Sequence, residues 1–230
     1  MKYDIIIFDA DETLFDFKKT ERVALRDTML EFNVDYNEAE HLNIYKEINT
    51  AIWKELEDGR ITQNQLKVER FSRFLGKLNY NIEASIFGKA YMNHLAKGSY
   101  LFKDSVELVE NLSNGFKLMI ITNGLKSVQE HRIKKSIIAD YFESIIVSEE
   151  VGVSKPDPKI FEIALRTYNI DKKKILIVGD SLTSDIQGGI NYGIDTCWFN
   201  PHQKENSYGI KPTYEIYSLS ELTNIVNKSR

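Results

Sequence analysis

One cysteine in 230 residues is too few for an internal disulfide or a cysteine-rich zinc site. That residue, Cys197, lies in the apolar run Thr196-Cys197-Trp198-Phe199, which suits a buried, inert thiol better than a nucleophile. Long hydrophobic runs are also missing: no stretch approaches the roughly 20 apolar residues of a membrane span. The N-terminus carries Lys2 and Asp4 without the apolar centre of a signal peptide, so a cytoplasmic protein is expected. Nor is there an excess of positive charge. The 30 Lys and Arg are outweighed by 34 Asp and Glu, a formal net charge of −4. A nucleic acid polymer or an anionic membrane surface therefore finds no general electrostatic attraction here, and any phosphate binding must come from a local positive site. No repeat or low-complexity tract appears. What remains, 42% hydrophobic and 28% charged residues, is enough for one generous domain or two modest ones.

The run Tyr3-Asp4-Ile5-Ile6-Ile7-Phe8 is short, apolar and β-branched, as expected of a strand buried on both faces in a parallel sheet. It runs directly into Asp9-Ala10-Asp11-Glu12-Thr13. Three carboxylates at one strand tip repel each other and raise each other's pKa unless a cation sits among them. Taken alone, an acidic turn explains the stretch equally well. From Asp16 to Gly98 the periodicity is helical, in segments around Val23–Phe32, Leu42–Leu56, Gln63–Leu78 and Ile82–Leu95, with breakers at Asn33–Asp35, Asp58-Gly59 and Asn79–Asn81.

Strands and helices then alternate. Strands are predicted over Phe116–Thr122, Phe142–Val147, Lys174–Val178, Asp195–Phe199 and Tyr214–Tyr217. Helices are predicted over Ser127–Ile138, Lys159–Tyr168, Leu182–Tyr192 and from Ser218. The pattern predicts an α/β fold: a Rossmann-like, doubly wound parallel sheet core over residues 1–15 and 99–230, with an inserted α-helical cap over residues 16–98. His202–Gly209 reads as a polar surface loop.

Polar residues of complementary kinds fall at four predicted strand tips: Asp9 and Asp11; Thr122-Asn123-Gly124; Ser154-Lys155-Pro156-Asp157-Pro158; and Gly179-Asp180-Ser181 with Asp185 one turn on. Each alone is ordinary turn or capping chemistry. In this order on one chain, they resemble the four motifs of the haloacid dehalogenase-like superfamily of phosphohydrolases. The helical insert falls where that family carries its cap. Asp-Ala-Asp-Glu-Thr-Leu-Phe-Asp-Phe at the start, Ile52-Trp53, Asp58-Gly59-Arg60-Ile61 and Glu69-Arg70-Phe71 further resemble its pyrimidine 5′-nucleotidase branch.

The resemblance implies a Mg²⁺-dependent phosphomonoester hydrolase. Asp9 would be the nucleophile and Asp11 the general acid and then base. Asp9, the Asp11 carbonyl and Asp180 would hold Mg²⁺, a hard ion that prefers oxygen. Thr122, Asn123 through its backbone amide, and Lys155 would bind the phosphoryl group, and Asp185 would orient a metal-bound water or Lys155. Asp11 argues against halide displacement, which needs no proton donor. The substrate implied is a small phosphate monoester, a nucleoside 5′-monophosphate with a pyrimidine leaning. Phosphoglycolate or a sugar phosphate is the alternative within the same chemistry. A non-catalytic phosphate-ligand sensor or assembly partner would be expected to lack part of the acid pair or the lysine, and this chain has both.

Glu12 departs from the glycine most common at that place in the family and reads as a surface or cap-hinge contact. Trp53 reads as a core residue, Arg60 and Arg70 as surface ion-pair formers or substrate contacts. His41, His94, His131 and His202 have no metal-ligand spacing.

Overall fold

Ile5–Phe8 forms β1, and all four of its side chains are buried. Four helices follow: α1 (Phe17–Glu31), α2 (Glu38–Glu57), α3 (Gln63–Lys77) and α4 (Ala84–Lys97). Next come α5 (Ser105–Ser113), β2 (Lys117–Thr122), α6 (Lys126–Lys134), β3 (Phe142–Val147), α7 (Ser148–Val151), α8 (Lys159–Leu165) and β4 (Ile175–Gly179). The chain closes with α9 (Gln187–Tyr192), β5 (Asp195–Phe199), β6 (Tyr214–Ile216) and α10 (Ser220–Asn227). The structure, a computed structural model, describes residues 2–227. It divides into two units, Met1–Phe17 with Ser99–Arg230, and Lys18–Gly98.

In the first unit six strands make one sheet in the order β3-β2-β1-β4-β5-β6, every neighbouring pair parallel. A parallel sheet has to be covered on both faces, which is why β1 is continuously apolar. Ile6 and Phe8 pack on one face with Leu118, Ile120 and Val178 against Leu108 of α5 and Leu222 of α10. Ile5 and Ile7 pack on the other with Met119, Ile121 and Ile177 against Ile160 and Phe161 of α8. Burying one such side chain is worth about 1.5–3 kcal/mol, so β1 anchors both layers. Because the chain winds outward from β1 in one direction and from β4 in the other, the β1/β4 edge is the switch point of the sheet, where such folds open a crevice at the strands' carboxyl ends.

The observed elements depart from the sequence-derived ones in several places. The helix predicted over Leu182–Tyr192 begins as a π-helical turn, Leu182–Ile186. The helix predicted to reach Ile138 ends at Lys134. Nine-residue α5 was not predicted, because its apolar Val106, Leu108, Val109 and Leu112 span too short a window for a clear period.

In the second unit the three breakers sit where the backbone turns left-handed: Asn33 at φ 56°, Gly59 at φ 70° and Asn79 at φ 57°. Asn and Gly are the residues that reach this region at least cost. Thr62 and Gln65 cap α3 reciprocally. The unit's core is aromatic, with Phe71 at 4.9 Å from Tyr91, 5.3 Å from Phe87 and 6.2 Å from Tyr45, ring centre to ring centre. Arg70 is inside this core, not on the surface. Its guanidinium lies 4.9 Å from the Phe71 ring centre and donates to Asn49 Oδ1 at 2.9 Å. Trp53, expected in the core, is only half-buried. Arg60 is exposed and pairs with Asp58 at 3.0 Å. Among the described residues no helix is long and apolar enough to cross a membrane.

Candidate active site

Register brings the motifs together. Phe8 pairs with Ile120 on one side and Val178 on the other, and the Asp9 amide donates to the Val178 carbonyl at 2.8 Å. Asp9 therefore leaves the sheet between the ends of β2 and β4. Lys155 reaches in from the loop between α7 and α8, its side chain fully enclosed. Its Nζ lies 2.6 Å from Asp9 Oδ1 and 2.7 Å from Asp185 Oδ1, and donates to the Ile121 carbonyl at 2.6 Å.

The backbone of Lys155 is fixed by the side chain of Asn123, a residue whose backbone amide the sequence assigns to phosphate binding. The Asn123 side chain is already committed: its Oδ1 accepts from the Lys155 amide at 2.9 Å, and its Nδ2 donates to the Lys155 carbonyl at 2.9 Å and to Ser184 Oγ at 3.2 Å. Only its backbone is left to contribute to a phosphoryl site. A two-way amide clamp of this kind sets where the ammonium can go.

Asp180 follows β4, and its carbonyl accepts from the Trp198 indole at 2.9 Å. Asp185 is carried by the π-helical turn and its Oδ2 accepts from the Ser181 amide at 3.0 Å. A Cβ on Gly179 would collide with the Asp185 carboxylate, so glycine at that position lets Asp185 close on the strand end. Asp9, Asp180 and Asp185 each offer an oxygen within 4.8 Å of the others.

The electrostatics of this cluster are unbalanced. Burial pushes the Asp9 carboxyl well above its usual range; Lys155 opposes that rise, and Asp185, Asp180 and Asp11 add to it. Burial also pushes Asp180 up to about 7, with Asp185 as the next cause. Burial alone would lower the Lys155 ammonium, but Asp185 and Asp9 outweigh it and hold the lysine charged. Were all three carboxylates ionised, the one ammonium would leave an excess of two negative charges. A small divalent cation that takes oxygen ligands fits both the donor set and the charge deficit.

Asp11 belongs to a second network beside the first. Its Oδ1 accepts from Arg132 Nη1 at 2.7 Å and its Oδ2 from Gln129 Nε2 at 2.7 Å. Gln129 Nε2 also donates to Thr122 Oγ1 at 2.8 Å. Glu12, next in the chain, sits at φ 60°. A left-handed turn there gives a backbone reason why glycine would suit the position, and redirects the chain immediately after Asp11.

The sequence-predicted residues Asp9, Thr122, Lys155, Asp180 and Asp185 thus converge at one sheet edge, with Asp11 joined to them through Thr122. Sequence reasoning missed Gln129, Arg132 and Trp198. Gln129 and Arg132, three apart on the helix that follows Thr122, share one face and could have been found from that spacing. Trp198 carried no such signal.

Comparison with known proteins agrees with this geometry. Residues 6–199 match the family described as "Haloacid dehalogenase-like hydrolase". The chain is 39% identical over 229 residues to the pyrimidine 5′-nucleotidase YjjG of Escherichia coli K12, covering 99% of this chain and 100% of that protein. It is 36% identical over 231 residues to the pyrimidine 5′-nucleotidase PynA of Streptococcus pneumoniae, covering 100% of this chain and 97% of that one. A solved structure of the Bacillus subtilis protein YfnB, described as a putative HAD-hydrolase bound to magnesium, superposes with a TM-score of 0.92 at 36% identity, covering 99% of this chain and 100% of that one. With four motifs meeting at the switch point of this sheet and relatives matched along their full length, the chain belongs to the haloacid dehalogenase-like hydrolases.

Proposed function

We propose that the protein is a Mg²⁺-dependent phosphomonoester hydrolase that works through an aspartyl-phosphate on Asp9, and that its substrates are nucleoside 5′-monophosphates, pyrimidine ones first. The observation that carries the reading is the buried Lys155 Nζ 2.6 Å from Asp9 Oδ1, within a cluster of three carboxylates that each offer an oxygen within 4.8 Å of the others. Two full-length relatives that bear the name pyrimidine 5′-nucleotidase support the substrate class.

Asp9, the Asp11 carbonyl and Asp180 would hold the ion, with Asp185 orienting Lys155 from behind. The ion, when bound, supplies positive charge that offsets repulsion between an anionic nucleophile and an anionic phosphate. The side chains supply the rest. Asp9 attacks phosphorus, the phosphorus–ester oxygen bond breaks, and Asp11 gives its proton to the departing alkoxide. Asp11 then takes a proton from water as the water's oxygen attacks phosphorus, and the bond from phosphorus to Asp9 breaks. Lys155 neutralises charge between Asp9 and the phosphoryl oxygens, and Thr122 donates its hydroxyl to one of them.

The test is a panel of nucleoside monophosphates, sugar phosphates and phosphoglycolate, assayed with Mg²⁺ and again after chelation. The expected result is the highest kcat/KM on pyrimidine nucleotides and loss of turnover with EDTA. A sugar phosphate preferred over every nucleotide would overturn the substrate class, and metal-independent turnover would overturn the chemistry.

A readout that needs no substrate follows from Asp180. Ion binding requires its carboxylate ionised, while in the metal-free protein its pKa is pushed up to about 7. Binding therefore displaces a proton below that pH and none well above it. The rise in Tm caused by a fixed Mg²⁺ concentration should be larger at pH 8 than at pH 5.5. A rise that is the same at both would count against Asp180 as a ligand.

A further inference from the structure

Gln129, Arg132, Asp11 and Thr122 form a closed polar network at the carboxyl ends of β1 and β2, and nothing about the cation site calls for it. Building on the phosphatase reading, we propose that Gln129 and Arg132 are positioning residues: together they aim the Asp11 carboxyl at the leaving-group oxygen, and Gln129 sets the direction of the Thr122 hydroxyl.

The argument begins with donor and acceptor inventory. Arg132 has only donors, and its Nη1 lies 2.7 Å from Gln129 Oε1, which fixes the amide's orientation. Gln129 Nε2 must then face away from Arg132, where its two hydrogens meet Asp11 Oδ2 at 2.7 Å and Thr122 Oγ1 at 2.8 Å. Thr122 is an acceptor in that bond, so its own hydrogen is left for another acceptor. In the proposed reaction that acceptor is a phosphoryl oxygen. Arg132 Nη1 holds the other Asp11 oxygen at 2.7 Å. With one bond to each oxygen the carboxyl plane cannot rotate freely, yet each oxygen keeps a second lone pair on which a proton can be carried.

Burial supports a role beyond stability. Gln129 and Arg132 are 1% and 0% exposed. The Arg132 guanidinium lies 5.3 Å from the Phe15 ring centre and 4.9 Å from that of Phe17. A buried ion pair is seldom more stabilising than apolar residues of the same volume, so stability alone is a poor reason to enclose an arginine here. The chain also makes room for Gln129: a Cβ on Gly124 would collide with the Gln129 side chain.

The test uses leaving-group dependence, which a merely structural role would not change. The value of kcat/KM reports events up to departure of the leaving group. A nucleoside alkoxide needs a proton to depart, whereas p-nitrophenolate does not. General acid catalysis contributes about 10²–10⁴-fold, and mispositioning should forfeit part of it. Gln129→Leu and Arg132→Leu are therefore expected to lower kcat/KM for uridine 5′-monophosphate by about tenfold more than for p-nitrophenyl phosphate. Arg132→Lys should recover part of that ratio. Adding Gln129→Leu to Asp11→Asn should leave the ratio where Asp11→Asn alone puts it, because residues acting through one group are not additive.

Equal losses on both esters, or an additive double variant, would overturn the proposal. So would a Gln129 variant faster than the parent on the nucleotide, which would mean the network restrains Asp11 instead of aiming it. Should Arg132→Leu fail to fold, Gln129→Leu, neutral and close in volume, carries the test. Failure of the phosphatase reading looks different: the unsubstituted protein then hydrolyses neither ester, or Asp9→Asn hydrolyses both.

Discussion

Asp9→Asn should abolish turnover while leaving the protein folded. The substitution keeps the volume and the strand-end geometry but replaces the attacking carboxylate by an amide that cannot form the phosphoryl ester. Loss of a residue that forms the covalent intermediate costs about 10⁴–10⁶-fold in kcat, far more than loss of a residue that only binds. The fold should tolerate the change for an electrostatic reason. Burial already pushes the Asp9 carboxyl well above its usual range, and the neighbouring acids Asp185, Asp180 and Asp11 add to that. A neutral side chain relieves this crowding, and Lys155 keeps Asp185 at 2.7 Å and the Ile121 carbonyl at 2.6 Å as partners. The check pairs kcat with urea unfolding of the metal-free protein. An inactive variant as stable as the parent is the expected outcome. Retained activity would remove Asp9 as nucleophile, and an unfolded variant would mean that its structural part has been underestimated.

Much of the fold was legible because its signals are local. A parallel core strand must be apolar on both faces, and Ile5–Phe8 is. The breakers Asn33, Gly59 and Asn79 mark left-handed turns, and those residue types announce them. What was not legible depends on packing. Nothing in the local sequence says that Arg70 turns inward to lie over Phe71 and Tyr91, since a charged residue on a helix is ordinarily solvated and only the surrounding aromatics make burial tolerable. Trp53 failed in the opposite direction: its size favours the core, but its place on α2 leaves it half-buried. The π-helical turn at Leu182–Ile186 has no composition signal either.

The candidate site divides the same way. Asp9, Thr122, Lys155 and Asp180 could be read from strand tips, because a parallel sheet delivers all its carboxyl ends to one edge. Asn123 is expected at the β2 tip for its backbone amide, and its side chain has a second use that the strand-tip pattern does not show. Only the fold brings the 154–158 loop within 2.9 Å of that side-chain amide. Gln129 and Arg132 share a helix face that their spacing shows, but their use is hidden for a related reason: their partner, Asp11, is more than a hundred residues away in the chain.

Lys155→Met is expected to have the second large effect, on stability as well as activity. The lysine is buried and bridges Asp9 and Asp185 at 2.6 and 2.7 Å. Removing one member of a buried ionic cluster leaves the others uncompensated and costs about 3–5 kcal/mol, a large share of the 5–15 kcal/mol that holds a typical domain together. The cost should depend on pH, and its sign can be worked out. Asp9 and Asp180 are carboxyls whose folded pKa is raised above the unfolded value, so the folded state binds more protons than the unfolded one. Stability conferred by those protons is present at low pH and lost as pH rises through the folded pKa values. Without the ammonium to oppose it, the rise at Asp9 becomes larger. Urea unfolding of metal-free Lys155→Met and its parent should therefore show a small difference near pH 5 and the full loss near pH 8, with Mg²⁺ narrowing the gap at pH 8 by replacing part of the missing charge. A variant within about 1 kcal/mol of the parent at pH 8 without metal would mean that the acidic residues around Asp9 find their compensation somewhere other than Lys155, and the site would have to be rebuilt around that group.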